Sequence, residues 1–153
     1  MTENKILEKE IIVKATLDDV WKAWTSEKGL GFISNKSNIE LKRNGAYEWF
    51  LDLEADKNGK CGGEGSKVLA YLPKEMIAFS WTFPPSIPEL RDADKTTQVV
   101  VKFKEIEEDT VLVQLSMHEW EEGKNWDEGW AYFDKAWEIV LDRLKLHFEG
   151  DVD

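Results

Sequence analysis

The chain holds one cysteine, Cys61, among its 153 residues, so no disulfide can close within it. A lone thiol fits a reducing compartment, and a cytoplasmic location is the expectation. Histidine is nearly as scarce, with His118 and His147 alone. Two histidines so far apart argue against a zinc site, which takes three or four His and Cys ligands held together. No apolar run reaches the 18 or so residues of a membrane span. The opening Met1-Thr2-Glu3-Asn4-Lys5 has no apolar stretch of the kind a secretory signal carries. Basic residues are outnumbered, 20 Lys and Arg against 31 Asp and Glu, for a net charge of −11. Nucleic acids and anionic membranes both need cations to neutralise phosphate, so neither is an expected partner.

What the chain has in abundance is tryptophan, eight residues of it. Four of the eight fall late, and three lie in one amphipathic stretch, 125–149. There Trp126, Trp130, Phe133, Trp137, Val140, Leu141, Leu144 and Phe148 recur at steps of three and four, which keeps one face of an α-helix. Asn125 is placed to cap the first turn, with Glu128 completing a capping box, and Gly150 supplies the stop. At 1.5 Å per residue such a helix is roughly 35 Å long, enough to span a small domain. A stripe of that size and apolarity requires a broad cover, and the rest of the chain is the candidate.

That remainder reads mostly as strands. Ile6 to Lys14 alternates charged and apolar residues. Thr16 caps a short helix carrying Val20, Trp21, Ala23 and Trp24, and Leu30 to Ile33 adds a further turn. Ile39 to Lys42 is read as a short strand closed by the tight turn Arg43-Asn44-Gly45. Ala46 to Glu54 follows, with Tyr47, Trp49, Leu51 and Leu53 on one face and Gly65 to Leu72 as its expected partner. Met76 to Phe83 ends at Pro84-Pro85, with a polar loop from there to Lys95. Thr97 to Phe103 and Val111 to Met117 alternate cleanly on either side of a turn at Glu107-Glu108-Asp109. Consecutive hairpins predict an antiparallel sheet with one buried face, and segregated helices make the class α+β. No repeat or linker divides the chain, so residues 1–153 read as one domain.

Few motifs carry chemistry. Glu54-x-Asp56-x-Asn58-Gly59 has the beginning of a calcium loop but no acid at the twelfth position and no flanking helices, so it reads as a hairpin turn. Gly62-Gly63-Glu64-Gly65 precedes no helix and is no phosphate loop. Cys61 has no partner base and reads as an ordinary thiol. His118-Glu119 is the one acid/base pair worth weighing. It lies on the opposite parity to Met117, however, so a regular strand points His118 away from the buried face. No motif calls for a cofactor or a metal.

Several stretches together resemble the START-like (SRPBCC) superfamily. They are Val20-Trp21-Lys22-Ala23-Trp24-Thr25, Phe79-Ser80-Trp81-Thr82-Phe83-Pro84, Thr96-Thr97-Gln98-Val99-Val100-Val101 and Leu115-Ser116-Met117-His118. Trp130-Ala131-Tyr132-Phe133-Asp134-Lys135-Ala136-Trp137 and Leu141-Asp142-Arg143-Leu144-Lys145 complete the set. Within the superfamily the chain is similar to the family of the activator of the heat-shock-protein-ninety ATPase, from about Ile11 to Phe148. The resemblance implies a helix-grip fold, in which a curved antiparallel sheet of about six strands wraps the long C-terminal helix. It also implies a cavity between sheet and helix that takes an apolar ligand. The residues expected to line it are Trp49, Trp81, Phe83 and Met117 from the sheet and Trp120, Trp126, Trp130 and Phe133 from the helix side. Non-catalytic binding of a small hydrophobic molecule is therefore the expected function. A chaperone-linked protein partner is the alternative the family implies, and an enzyme built on His118 and Glu119 is a third reading.

Overall fold

The computed structural model describes residues 5–34, 36–50, 65–84, 87–91, 93 and 95–150. Along the chain these form β1 (Leu7–Val13), α1 (Leu17–Thr25), a 3-10 turn (Gly29–Phe32), β2 (Ser37–Ile39) and β3 (Tyr47–Trp49). Then come β4 (Val68–Leu72), β5 (Met76–Thr82), α2 (Pro88–Arg91), β6 (Thr96–Glu107), β7 (Thr110–His118) and α3 (Lys124–Glu149). Strands β1-β7-β6-β5-β4 make one antiparallel sheet in that spatial order, and β2 pairs with β3 in a second. This is the helix-grip architecture of the α+β class.

The two-residue period of the strands decides which side is core. Ile77, Phe79 and Trp81 of β5, Val99, Val101 and Phe103 of β6, and Val111, Val113, Leu115 and Met117 of β7 are all buried. So are Tyr47 and Trp49 of β3. Against them α3 buries Trp126, Phe133, Trp137, Val140, Leu141 and Leu144. Each such side chain contributes about 1.5–3 kcal/mol when removed from water. On the inner face of α1, Trp24 is fully buried and packs on Phe32 and Trp49. Thr16 caps α1 by accepting from the Asp19 N–H at 3.1 Å, as its position before Leu17 predicts.

Four details differ from the sequence reading. Asn125 is not the cap of α3: the helix begins one residue earlier, at Lys124, and Gly123 precedes it with no side-chain hydrogen bond. A lost cap costs about 1 kcal/mol, less than a single buried aromatic contributes, so packing sets the start of the helix. β2 lies at Ser37–Ile39 rather than Ile39 to Lys42. The expected pairing of the Ala46 strand with the Gly65 strand shrinks to a corner. There Ala46 bridges Lys67, and the Tyr47 N–H donates to Ser66 O at 2.9 Å. β3 pairs instead with β2, and β4 with β5. Finally, the proline-rich loop contains α2, where Arg91 is buried and donates from Nη1 to Phe83 O. The calcium-like stretch, Cys61, Leu51 and Leu53 fall outside the described residues. Among the described residues, no helix is long and apolar enough to cross a membrane.

Candidate ligand site

The sheet–helix interface is an unbroken series of aromatic rings. At its inner end Trp49 meets Trp81 at 5.0 Å between centroids, and both meet Trp137, at 6.0 and 5.5 Å. Trp137 stacks on Phe133 at 6.0 Å, and Phe133 contacts Phe83 at 5.9 Å. Phe83 then reaches Trp126 at 5.1 Å and Trp120 at 6.2 Å. Trp120 closes the series on Trp130 at 5.1 Å. Edge-to-face geometry dominates, the arrangement the ring quadrupoles favour.

Of the eight residues expected to line a cavity, six are buried in this series or against it: Trp49, Trp81, Phe83, Met117, Trp126 and Phe133. Met117 joins through its sulfur, which accepts the Trp137 indole N–H at 3.2 Å. Trp120 and Trp130 are half-buried at the outer end. The structure thus brings all eight together, and their rings pack on one another where the sequence anticipated an open space. Two residues that the sequence reading left out of the set complete it. Trp137 links the sheet rings to the helix rings. Gly129, one turn before Phe133, faces Phe83 so closely that a Cβ there would lie 2.6 Å from the ring. A glycine inside an otherwise bulky helix stripe was the available signal for that contact.

The outer end owes its shape to Glu119. Its φ of 71° is a left-handed backbone that ends β7 at His118 and turns the chain. Trp120 is thereby folded back toward the sheet, where its indole N–H donates to Met117 O at 3.0 Å. One side of Trp120 lines a surface depression of about 280 Å³ with Lys5, Ile6, His118 and Glu119. The Lys5 ammonium lies 6.0 Å from the Trp130 ring centre.

His118 stays on the outer face, as its parity predicts, and its Nε2 shares a 2.7 Å hydrogen bond with Ser116 Oγ. Among the described residues nothing hydrogen-bonds the other ring nitrogen, so no acid orients the imidazole as a triad requires. Among the described residues, the strongly shifted interior group is Tyr47. Burial pushes its hydroxyl well above the usual tyrosine range, and it donates to Trp24 O. It is a structural donor rather than an acid. A second depression, about 410 Å³, lies on the outer sheet face among Glu8, Glu10, Lys102, Gln114 and Ser116, away from the aromatic series. Among the described residues no three His, Cys, Asp or Glu side chains group as metal ligands would.

Comparison with known proteins settles the family. A profile described as Activator of Hsp90 ATPase homolog 1-like protein matches residues 14–149. The chain belongs to this family. No curated protein matches it. Among solved structures it is similar to the Aha1 dimer of Colwellia psychrerythraea, at 17% identity and a TM-score of 0.67, over 95% of this chain and 96% of that one. It is similar to protein MLL2253 of Mesorhizobium loti, at 11% identity and 0.70, over 97% and 100%. CalU16 of Micromonospora echinospora matches at 17% and 0.66, over 99% and 86%. Likeness at these identities establishes the fold alone.

Proposed function

We propose that this family member acts by non-catalytic binding of a small, flat apolar molecule at the outer end of its aromatic series. The observation that carries the reading is the position of Trp120. It is ringed by Phe83, Trp126, Trp130 and Phe133 on one side and borders an open depression of about 280 Å³ on the other. Ligand sites are concave, mostly apolar and a few hundred Å³ or more in volume, with a few polar groups at the rim. Here Trp120 and Ile6 supply the apolar wall, with the other rings packed behind Trp120, while Lys5, His118 and Glu119 supply the rim. A guest larger than the depression must slide between Trp120 and Trp130, the two rings of the set that are not fully buried. Catalysis is the weaker reading, because Ser116 and His118 form half of a nucleophilic set with no orienting acid.

Titration with fatty acids, sterols and flat aromatic compounds, followed by tryptophan emission and calorimetry, tests this. Binding is expected for at least one class, lost in Trp120→Ala and retained in Ser116→Ala, which removes the hydroxyl of the catalytic reading without touching the depression. If no compound binds and the protein instead stimulates a chaperone ATPase, the alternative that the family description names takes its place.

A further inference from the structure

Seven large apolar residues are exposed among the described ones, and three of them, Tyr132, Ile139 and Leu146, lie on α3. Scattered exposed apolar residues are ordinary, but these three are spaced by seven. At 3.6 residues per turn that spacing places them on one line along the helix, opposite the buried stripe. Their exposures are 44%, 54% and 65%, rising toward the helix end. The line therefore forms a second apolar face that nothing in this chain's described residues covers.

The flanking charges indicate what fits it. Lys135 lies four residues before Ile139 and Asp142 three after, both on the same side of the line. Neither makes an ion pair among the described residues, although other lysines and acids of the chain do. Turned end for end about Ile139, a second α3 would place its Leu146 on Tyr132 and its Ile139 on Ile139. Its Asp142 would come opposite Lys135, within about one residue of rise. In an antiparallel helix pair like flanks face each other, so both unpaired charges would be matched twice by one operation.

We infer that the outer face of α3 is a self-association surface, on which two copies pack antiparallel with a two-fold axis at Ile139. A standard interface engages about 20–30 residues a side, and one helix face offers far fewer, so the dimer is weak and appears only at high protein concentration. It leaves the Trp120 end of each copy open, and it holds whether or not that end binds a ligand.

Sedimentation of the full chain over a wide concentration range tests the surface. Wild type should show a monomer–dimer equilibrium, and Ile139→Glu or Leu146→Glu should weaken it by roughly tenfold or more without loss of helical signal, since both side chains face solvent. Charge exchange tests the geometry. Lys135→Asp alone and Asp142→Lys alone should each weaken self-association roughly tenfold, because each sets like charges together twice. Mixing the two variants should restore it, as should Lys135→Asp with Asp142→Lys in one chain. A wild type that remains monomeric throughout, a dimer indifferent to Ile139→Glu, or a mixture no tighter than its components would each overturn the proposal. So would a different protein that binds this face more tightly than a second copy does.

Discussion

Gly129 on α3 and Phe83, the residue after β5, approach so closely that a methyl group on Gly129 would lie 2.6 Å from the phenyl ring. Phe83 has little room to yield, being fully buried and held by Trp120, Trp126 and Phe133. Helix propensity alone favours alanine by up to about 1 kcal/mol. Overpacking a core costs about 1–3 kcal/mol and is the larger effect here. Gly129→Ala should therefore lower stability by roughly 1–2 kcal/mol in denaturant titration. A variant at least as stable as wild type would mean that the Phe83 ring swings aside freely.

Trp137 and Trp130 share a helix face but not a burden. Trp137 is 2% exposed, contacts Trp49, Trp81 and Phe133, and donates to Met117. Trp130 is half-buried and contacts Trp120 at the rim. Trp137→Ala should cost about 3–5 kcal/mol, a large share of a small domain's stability. Trp130→Ala should cost no more than about 1–1.5 kcal/mol while weakening ligand binding. Equal losses for the two would contradict the packing described.

The sequence carried the fold where a short period decides it. The odd-numbered residues of β5, β6 and β7 share the buried face because neighbouring side chains on a strand point to opposite sides. Asn44-Gly45 marks its turn because Asn44 takes φ of 67°, which asparagine tolerates. What did not show was decided by contacts distant in sequence. The partner of Tyr47–Trp49 depends on the corner where the Tyr47 N–H meets Ser66 O. The start of α3 follows core packing rather than Asn125. Composition pointed to the aromatic site, and periodicity placed its residues on facing surfaces. It could not tell that their rings would meet, nor that a left-handed Glu119 would make the turn that folds Trp120 back toward them.

The last turns of α3 also hold the free edge of the sheet. β1 is an edge strand, and an edge with unpaired backbone groups invites pairing with another chain. Here Lys145 Nζ donates to Ile12 O at 2.8 Å, and the Lys14 N–H donates to Glu149 Oε2 at 2.9 Å. Lys145 and Glu149 are themselves paired at 3.0 Å. The Lys145 hydrogen bond, aided by the Lys14 amide, holds the Glu149 carboxyl below its ordinary value of 4.5. A carboxyl whose pKa is lower folded than unfolded stabilises the fold fully above its unfolded value. That contribution fades as pH falls through the lower, folded one. Protection of the Lys14 amide against hydrogen exchange should therefore be constant near neutrality and decline in acid, once pH drops below the ordinary glutamate range. Glu149→Gln keeps an acceptor but removes the charge. It should reduce the amide's protection at neutral pH and flatten its decline in acid, leaving the Val113 amide in the sheet interior unchanged. If Lys14 exchanges identically in wild type and variant at both pH values, the helix end does not guard this edge.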